Sequence, residues 1–277
     1  MRCAHLKQRF LSAFVLMTIA LSSLLLSEVS RVLFFAAAGV ICCYEFSHNL
    51  EQLGISCCAW VLYVHMALQA ALALLHAPLE LCVAALTLAI FLAMFSGILH
   101  PKVSGPGAFY TEAVVSYPGF LFVLLMRIAV SDIWAEALIF GSFVAWGCDA
   151  FALFGGMRFG KHKLAPLVSP HKTVEGSVCG ALASLGVGLG LYYLLPCMPQ
   201  FHFAHFPLWF CLATALLSST MGQIGDLAES LVKRMIGVKD FSNLIPGHGG
   251  LMDRADSLLF SIPTAYLCLL LAQRFLF

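Results

Sequence analysis

Between Gly225 and Asp256 the chain gathers five of its 14 acidic residues, Asp226, Glu229, Asp240, Asp253 and Asp256, beside four basic ones, Lys233, Arg234, Lys239 and Arg254. Such a mixture suits a metal ion and phosphate groups held together. Within Gly225 to Arg234, Asp226, Glu229, Ser230 and Lys233 recur at i, i+3, i+4 and i+7, the spacing of one helix face, while Leu227, Leu231 and Val232 take the other side. The stripe predicts a helix leaving an apolar span and turning a polar face to a cavity; the alternative is a solvated amphipathic face.

The next stretch, Lys239 to Gly250, holds Pro246, Gly247, Gly249 and Gly250 around His248. A proline and three glycines stop a helix, so the segment must be a shaped loop. Glycine-rich loops let main-chain N–H groups converge on an anion, although no P-loop pattern is present. Asp253-Arg254-Ala255-Asp256-Ser257 follows, with two carboxylates at i and i+3 where an apolar run begins. Grouped Asp oxygens form the hard oxygen environment that Mg²⁺ prefers, above all when substrate phosphates complete the shell. Asp226 joins Asp253 and Asp256 as an expected ligand, and an ion pair to Arg254 is the plainer alternative. A second cluster, Ser169-Pro-His-Lys172-Thr173-Val-Glu175-Gly176, combines a turn with polar groups, or is simply a capped helix start. Asp149 stands inside an apolar stretch, where an ionisable residue is a functional candidate. The scattered histidines (His48, His65, His76, His100, His202, His205) show no paired ligand spacing.

The elements that position these residues follow from composition. Of 277 residues, 61% are hydrophobic and 10% charged, where soluble domains run roughly 45–50% apolar and about 25% charged. A soluble globule is excluded, and 23 Phe exclude disorder. A net charge of +1 gives no field to attract nucleic acid. About nine apolar runs of spanning length emerge, near 10–26, 32–47, 55–75, 79–99, 114–130, 134–155, 176–195, 207–224 and 257–274. The first follows Arg2, Lys7 and Arg9 but lacks a small-x-small cleavage site, so it is expected to stay as a membrane helix. With the N-terminus inside, twelve Lys and Arg fall on inner segments; only Arg31, Arg127 and Arg274 fall outside. That bias predicts cytoplasmic placement of the polar segments 156–175 and 225–256. The eleven cysteines lie mostly in apolar runs without a C-x-x-C pair, and read as small buried hydrophobes. No fixed-period repeat is present. The fold class is thus an all-α polytopic membrane protein, with anchor helices over 1–133 and a catalytic membrane region over 134–277.

The pattern Ser230-x-Val-Lys233-Arg234-x4-Lys239-Asp240-x-Ser-x2-Ile-Pro246-x-His248-Gly249-Gly250-Leu-x-Asp253-Arg254-x-Asp256 resembles the phosphatidate cytidylyltransferase (CDP-diacylglycerol synthase) family. The segment Ser-Pro-x-Lys-Thr-x-Glu-Gly at 169–176 is similar to a second element of that family. Ala255 stands where the family usually has a larger apolar residue, and Ala150 and Leu153 replace its hydroxyl residue and tyrosine near Asp149. The resemblance covers residues 146–277. It implies a membrane enzyme, working as a homodimer, that joins CTP to phosphatidic acid and yields CDP-diacylglycerol and pyrophosphate.

Residue by residue, the resemblance implies that Asp226 and Asp253 hold Mg²⁺ with Asp256 adjacent, and that a potassium ion, K⁺, sits beside it. Lys233, Arg234, Lys239 and Arg254 would contact phosphates, His248 with Gly249 and Gly250 would shape the nucleotide site, and Ser230 and Asp240 belong to the same substrate-binding motif. Ser169, Lys172, Thr173 and Glu175 would close the pocket. Cytoplasmic CTP and a bilayer lipid must meet, so the site is expected at the inner ends of spans six to nine of a bacterial-type cell membrane. Two rivals are a CTP-dependent polyprenol or lipid kinase, which transfers the γ-phosphate, and an ion-coupled transporter, which would show inverted repeats and midplane charges.

Overall fold

The computed structural model describes residues 15, 17–99, 103, 105–197, 206–245 and 249–275. Eleven α-helices follow one another: α1 (Met17–Leu26), α2 (Glu28–Gln52), α3 (Ala59–Leu74), α4 (Leu79–Leu99), α5 (Gly105–Val114), α6 (Phe120–Ala129), α7 (Trp134–Phe159), α8 (Val174–Leu194), α9 (Leu208–Ile236), α10 (Met252–Ala255) and α11 (Leu258–Phe275). Two short antiparallel strands, β1 (Lys163–Ala165) and β2 (Ser169–Thr173), make a hairpin between α7 and α8.

Among the described residues, seven segments are long and apolar enough to cross a membrane: α2, α4, α5 with α6, α7, Val174–Cys197, α9, and α10 with α11. The protein is an all-α polytopic integral membrane protein. Two of the nine expected spans form shorter helices. The 16 residues of α3 rise only about 24 Å at 1.5 Å each, short of a ~30 Å hydrocarbon core. Helix α1 begins at Met17, and the first residues of its expected run lie outside those described. The ten described cysteines are free thiols, and seven of them are buried, as small apolar side chains would be.

The chain divides into two compact units. The first comprises residues 1–130 and 236–254. Its helix α2 is started by a capping box, in which Ser30 N–H donates to Ser27 Oγ (3.1 Å) and Ser27 N–H to Ser30 Oγ (2.9 Å). Helix α2 packs on α3 and α6, with Met66 and Phe122 against Gly39, and Val32, Phe35, Cys42, Phe46 and Met126 are buried.

The second unit comprises residues 131–235 and 255–277, built on α7, α8, α9 and α11. Gly176, Gly180, Ser184 and Gly188 recur every four residues as a buried stripe along α8. A Cβ on Gly176 would lie 2.6 Å from Ala152 O, and one on Gly180 2.7 Å from Cys148 O, so the bare glycines are what lets α7 and α8 approach. The same device joins α11 to α7, where a Cβ on Gly141 would meet Ile262 Cα at 2.6 Å while Ser261 Oγ donates to Gly141 O (2.8 Å). Helix α9 ends at Ile236, with Gly237 in the left-handed conformation (φ 79°) that stops a helix.

Candidate active site

Helix α9 runs unbroken through the apolar stretch and the polar stripe. Its close packing on α11 fixes the stripe's height, because a Cβ on Gly225 would lie 2.6 Å from Asp256 O and 2.5 Å from Phe260 Cδ2. The next residue, Asp226, therefore meets the start of α11. One ligand oxygen each from Asp226, Glu229 and Asp256 lies within 4.8 Å of the others. Ser257 Oγ donates to Asp149 Oδ2 (3.1 Å), so α7 contributes a fourth carboxyl group, within electrostatic reach of Asp226 and Asp256. Asp256 Oδ1 itself accepts from Ser257 N–H at 2.6 Å.

Two lysines face this group. Lys172, from β2, sits 2.5 Å from Asp226 Oδ2, both side chains being about a quarter exposed. Lys233 Nζ lies 2.6 Å from Glu229 Oε2, whose carboxylate is 0% exposed. Four carboxyl groups thus stand against two ammonium groups, drawn from α7, β2, α9 and the turn before α11. Mutually repelling carboxylates this close, with fewer cations than anions, form a set of hard oxygens that fits a divalent ion. Below them Gln223, one turn before Asp226, accepts from Ser177 Oγ and donates to Cys148 Sγ (3.2 Å), tying α7, α8 and α9 together.

The hairpin residues have distinct employments. Thr173 Oγ1 accepts from Gly176 N–H (3.1 Å) and caps α8, the capped-start alternative of the sequence. Glu175 takes the Lys161 amide (3.0 Å), the His162 amide and His162 Nδ1 (2.6 Å), which closes the α7–β1 connection. Ser169 is half-buried and paired with Ala165 in the hairpin. Ser230 is buried on α9, and exposed Arg234 donates from Nε to Val168 O (3.2 Å).

The first unit holds the rest of the motif. Asp253 is 7% exposed, and its Oδ2 accepts from Phe241 N–H (3.0 Å) and Gly250 N–H (2.8 Å). Glu45 of α2, 2% exposed, accepts from Ser242 Oγ (2.5 Å), Leu251 N–H (3.0 Å) and Met252 N–H (2.9 Å). The amides of the glycine-rich loop do converge on anions, and the anions at Gly250, Leu251 and Met252 are the chain's own carboxylates. Gly249 is left-handed (φ 84°) and bridges Ile245. Lys239, Asp240 and Arg254 are exposed, and His248 lies outside the described residues.

Sequence reasoning placed Glu229 on the stripe without making it a ligand, and it passed over Glu45. Both carry the signal that singled out Asp149, an acid within or beside a membrane-length apolar run.

A protein of Staphylococcus saprophyticus named phosphatidate cytidylyltransferase is 40% identical over 149 residues, 54% of each chain. Proteins of the same name from Staphylococcus aureus and Staphylococcus epidermidis are 40% and 41% identical over 126 residues, 46% of each chain. The chain spans about half the length of the curated relatives it matches. The profile of the Cytidylyltransferase family matches residues 7–272, nearly the whole sequence, and the protein belongs to that family.

Proposed function

We propose that the protein transfers the cytidylyl group of CTP to phosphatidic acid, giving CDP-diacylglycerol and pyrophosphate for phospholipid biosynthesis. Family membership supports this reading, and the observation that carries it is the cluster of four carboxyl groups and two lysines where α7, α9 and α11 meet. Asp226, Glu229 and Asp256 would hold Mg²⁺, which when bound neutralises triphosphate charge and orients in-line attack. The resemblance implies a potassium ion beside Mg²⁺ and gives Asp253 as a ligand; its bonds to Phe241 N–H and Gly250 N–H make Asp253, in this reading, a support of the loop.

The chain's own residues then have limited work. Phosphatidate arrives with an anionic oxygen, so no side chain has to remove a proton. That oxygen bonds to the α-phosphorus as the bond to pyrophosphate breaks. Lys172 has three N–H donors, and its bond to Asp226 uses one, leaving donors for phosphate oxygens. Lys233 pairs with Glu229 and orients it inside the cluster. Ser257 fixes Asp149, and Gln223 ties α7, α8 and α9 together one turn before Asp226. The reading includes a cytoplasmic opening for CTP in a bacterial cell membrane, as the Lys and Arg bias implies, and a homodimer.

The test uses purified protein in detergent with Mg²⁺, phosphatidate and labelled CTP. Label from the α-phosphate should enter lipid and pyrophosphate should appear in equal amount. Transfer of γ-label alone would make the protein a lipid kinase, and absence of chelator-sensitive CTP turnover would end the enzyme reading.

A further inference from the structure

Glu45 belongs to the half of the chain that composition marks as membrane anchor, yet it is the residue on which the loop of the motif is built. It lies within α2, and Asn49, one turn further on, faces the same way. Asn49 Nδ2 donates to Glu45 O and to Phe241 O (2.7 Å each), and the rings of Phe46 and Phe241 stack at 5.7 Å. The three partners of the Glu45 carboxylate, Ser242, Leu251 and Met252, are 197, 206 and 207 residues away in sequence. A Cβ on Gly250 would lie 2.8 Å from Glu45 Oε1, so the glycine is required by the carboxylate that packs on it. A carboxylate is an acceptor-only group with room for all three donors, and charge-assisted bonds are about twice as strong as neutral ones. Glutamine would turn one acceptor into a donor facing an N–H.

We propose that Glu45 is a positioning residue for the reaction: by clamping Ser242 and the Leu251–Met252 amides onto α2, it fixes the segment that presents Asp253 and Arg254. This inference rests on the proposed cytidylyl transfer. Glu45 touches no substrate in this scheme; it acts through the loop, with Asn49 as its support.

The experiment measures kcat and KM for CTP in Glu45→Gln and Glu45→Asp, alongside amide hydrogen exchange over 241–252 in the intact detergent-solubilised protein. Glu45→Gln should lower kcat about 10²-fold, the scale of a small misplacement at a reacting centre, with faster exchange at Leu251 and Met252 and no loss of folded protein. Glu45→Asp should recover part of kcat. Unchanged exchange in Glu45→Gln, or turnover within a factor of about two of wild type, overturns the inference. So does a fall in activity that merely tracks the amount of folded protein. Wild-type protein that makes no CDP-lipid overturns the proposed reaction instead, and the exchange measurement separates the two failures.

Discussion

The two units treat their carboxylates in opposite ways. In the second, Asp226, Glu229, Asp256 and Asp149 come together with two lysines, the Ser257 hydroxyl and the Ser257 amide as partners, and repel one another at short range. In the first, Glu45 and Asp253 are each wrapped by main-chain N–H groups of the 241–252 segment. A carboxylate bonded to main-chain amides holds the loop that owns those amides, whereas a group of carboxylates facing fewer cations than anions is the set that fits an ion. The difference teaches why one acid-rich motif in sequence becomes two kinds of site in space.

The largest effect should come from the set that fits an ion. Asp256→Asn replaces a carboxyl group of the cluster with an amide and should reduce turnover about 10³-fold, equivalent to several kcal/mol of lost stabilisation. Mn²⁺ binding, followed by electron paramagnetic resonance, should weaken in parallel, and chelation of the wild type should abolish turnover reversibly. Normal Mn²⁺ affinity in Asp256→Asn would erase the distinction between the units.

Lys233→Met probes the same cluster through stability. Glu229 is fully buried, and removing the partner ammonium of a buried ion pair costs about 3–5 kcal/mol. Thermal unfolding in detergent should register it. Glu229→Gln combined with Lys233→Met should recover much of the loss, since the two residues act on one another. Equal, additive losses would mean that the pair contributes no coupling.

Asp253 sharpens the comparison most directly. Asp253→Asn should cost about 10–100-fold in turnover, the scale of a displaced supporting group, with faster amide exchange at Phe241 and Gly250. A drop in Mn²⁺ affinity as large as that of Asp256→Asn, with exchange unchanged, would move Asp253 into the same class as the cluster and break the contrast.

Much of this architecture was readable from residues alone, for physical reasons that also mark where reading stopped. Apolar runs of membrane length have few alternatives to helix, because lipid offers backbone groups no partner; α4, α7 and α8 lie where those runs fall. The i, i+3, i+4, i+7 spacing of Asp226, Glu229, Ser230 and Lys233 made α9 continuous through its polar end. The hairpin was not legible: strands of three and five residues are too short to display alternation. Nor was the approach of Gly225 to Asp256, a matter of which helices touch, which no local pattern encodes. Glu45 illustrates a different limit. Its charge was visible, but its partners stand about 200 residues downstream, and nothing local connects α2 to Ser242 or Met252.

The smallest effect separates the two uses of neighbouring residues in β2. Lys172 reaches the cluster, while Thr173, beside it, caps α8 by accepting from Gly176 N–H. Losing a cap costs about 1 kcal/mol, so Thr173→Ala should lower the unfolding midpoint by a few degrees. KM for CTP should stay within about twofold, because the hydroxyl is occupied by the helix rather than by substrate. Thr173→Ser, which keeps the oxygen, should restore the midpoint. Lys172→Gln should behave inversely, raising KM for CTP with little change in the midpoint, since its partner Asp226 is a quarter exposed and partly solvated pairs contribute little to stability. A rise in KM in Thr173→Ala that serine reverses would instead place the Thr173 oxygen on the nucleotide, and would extend the site from the cluster into the hairpin.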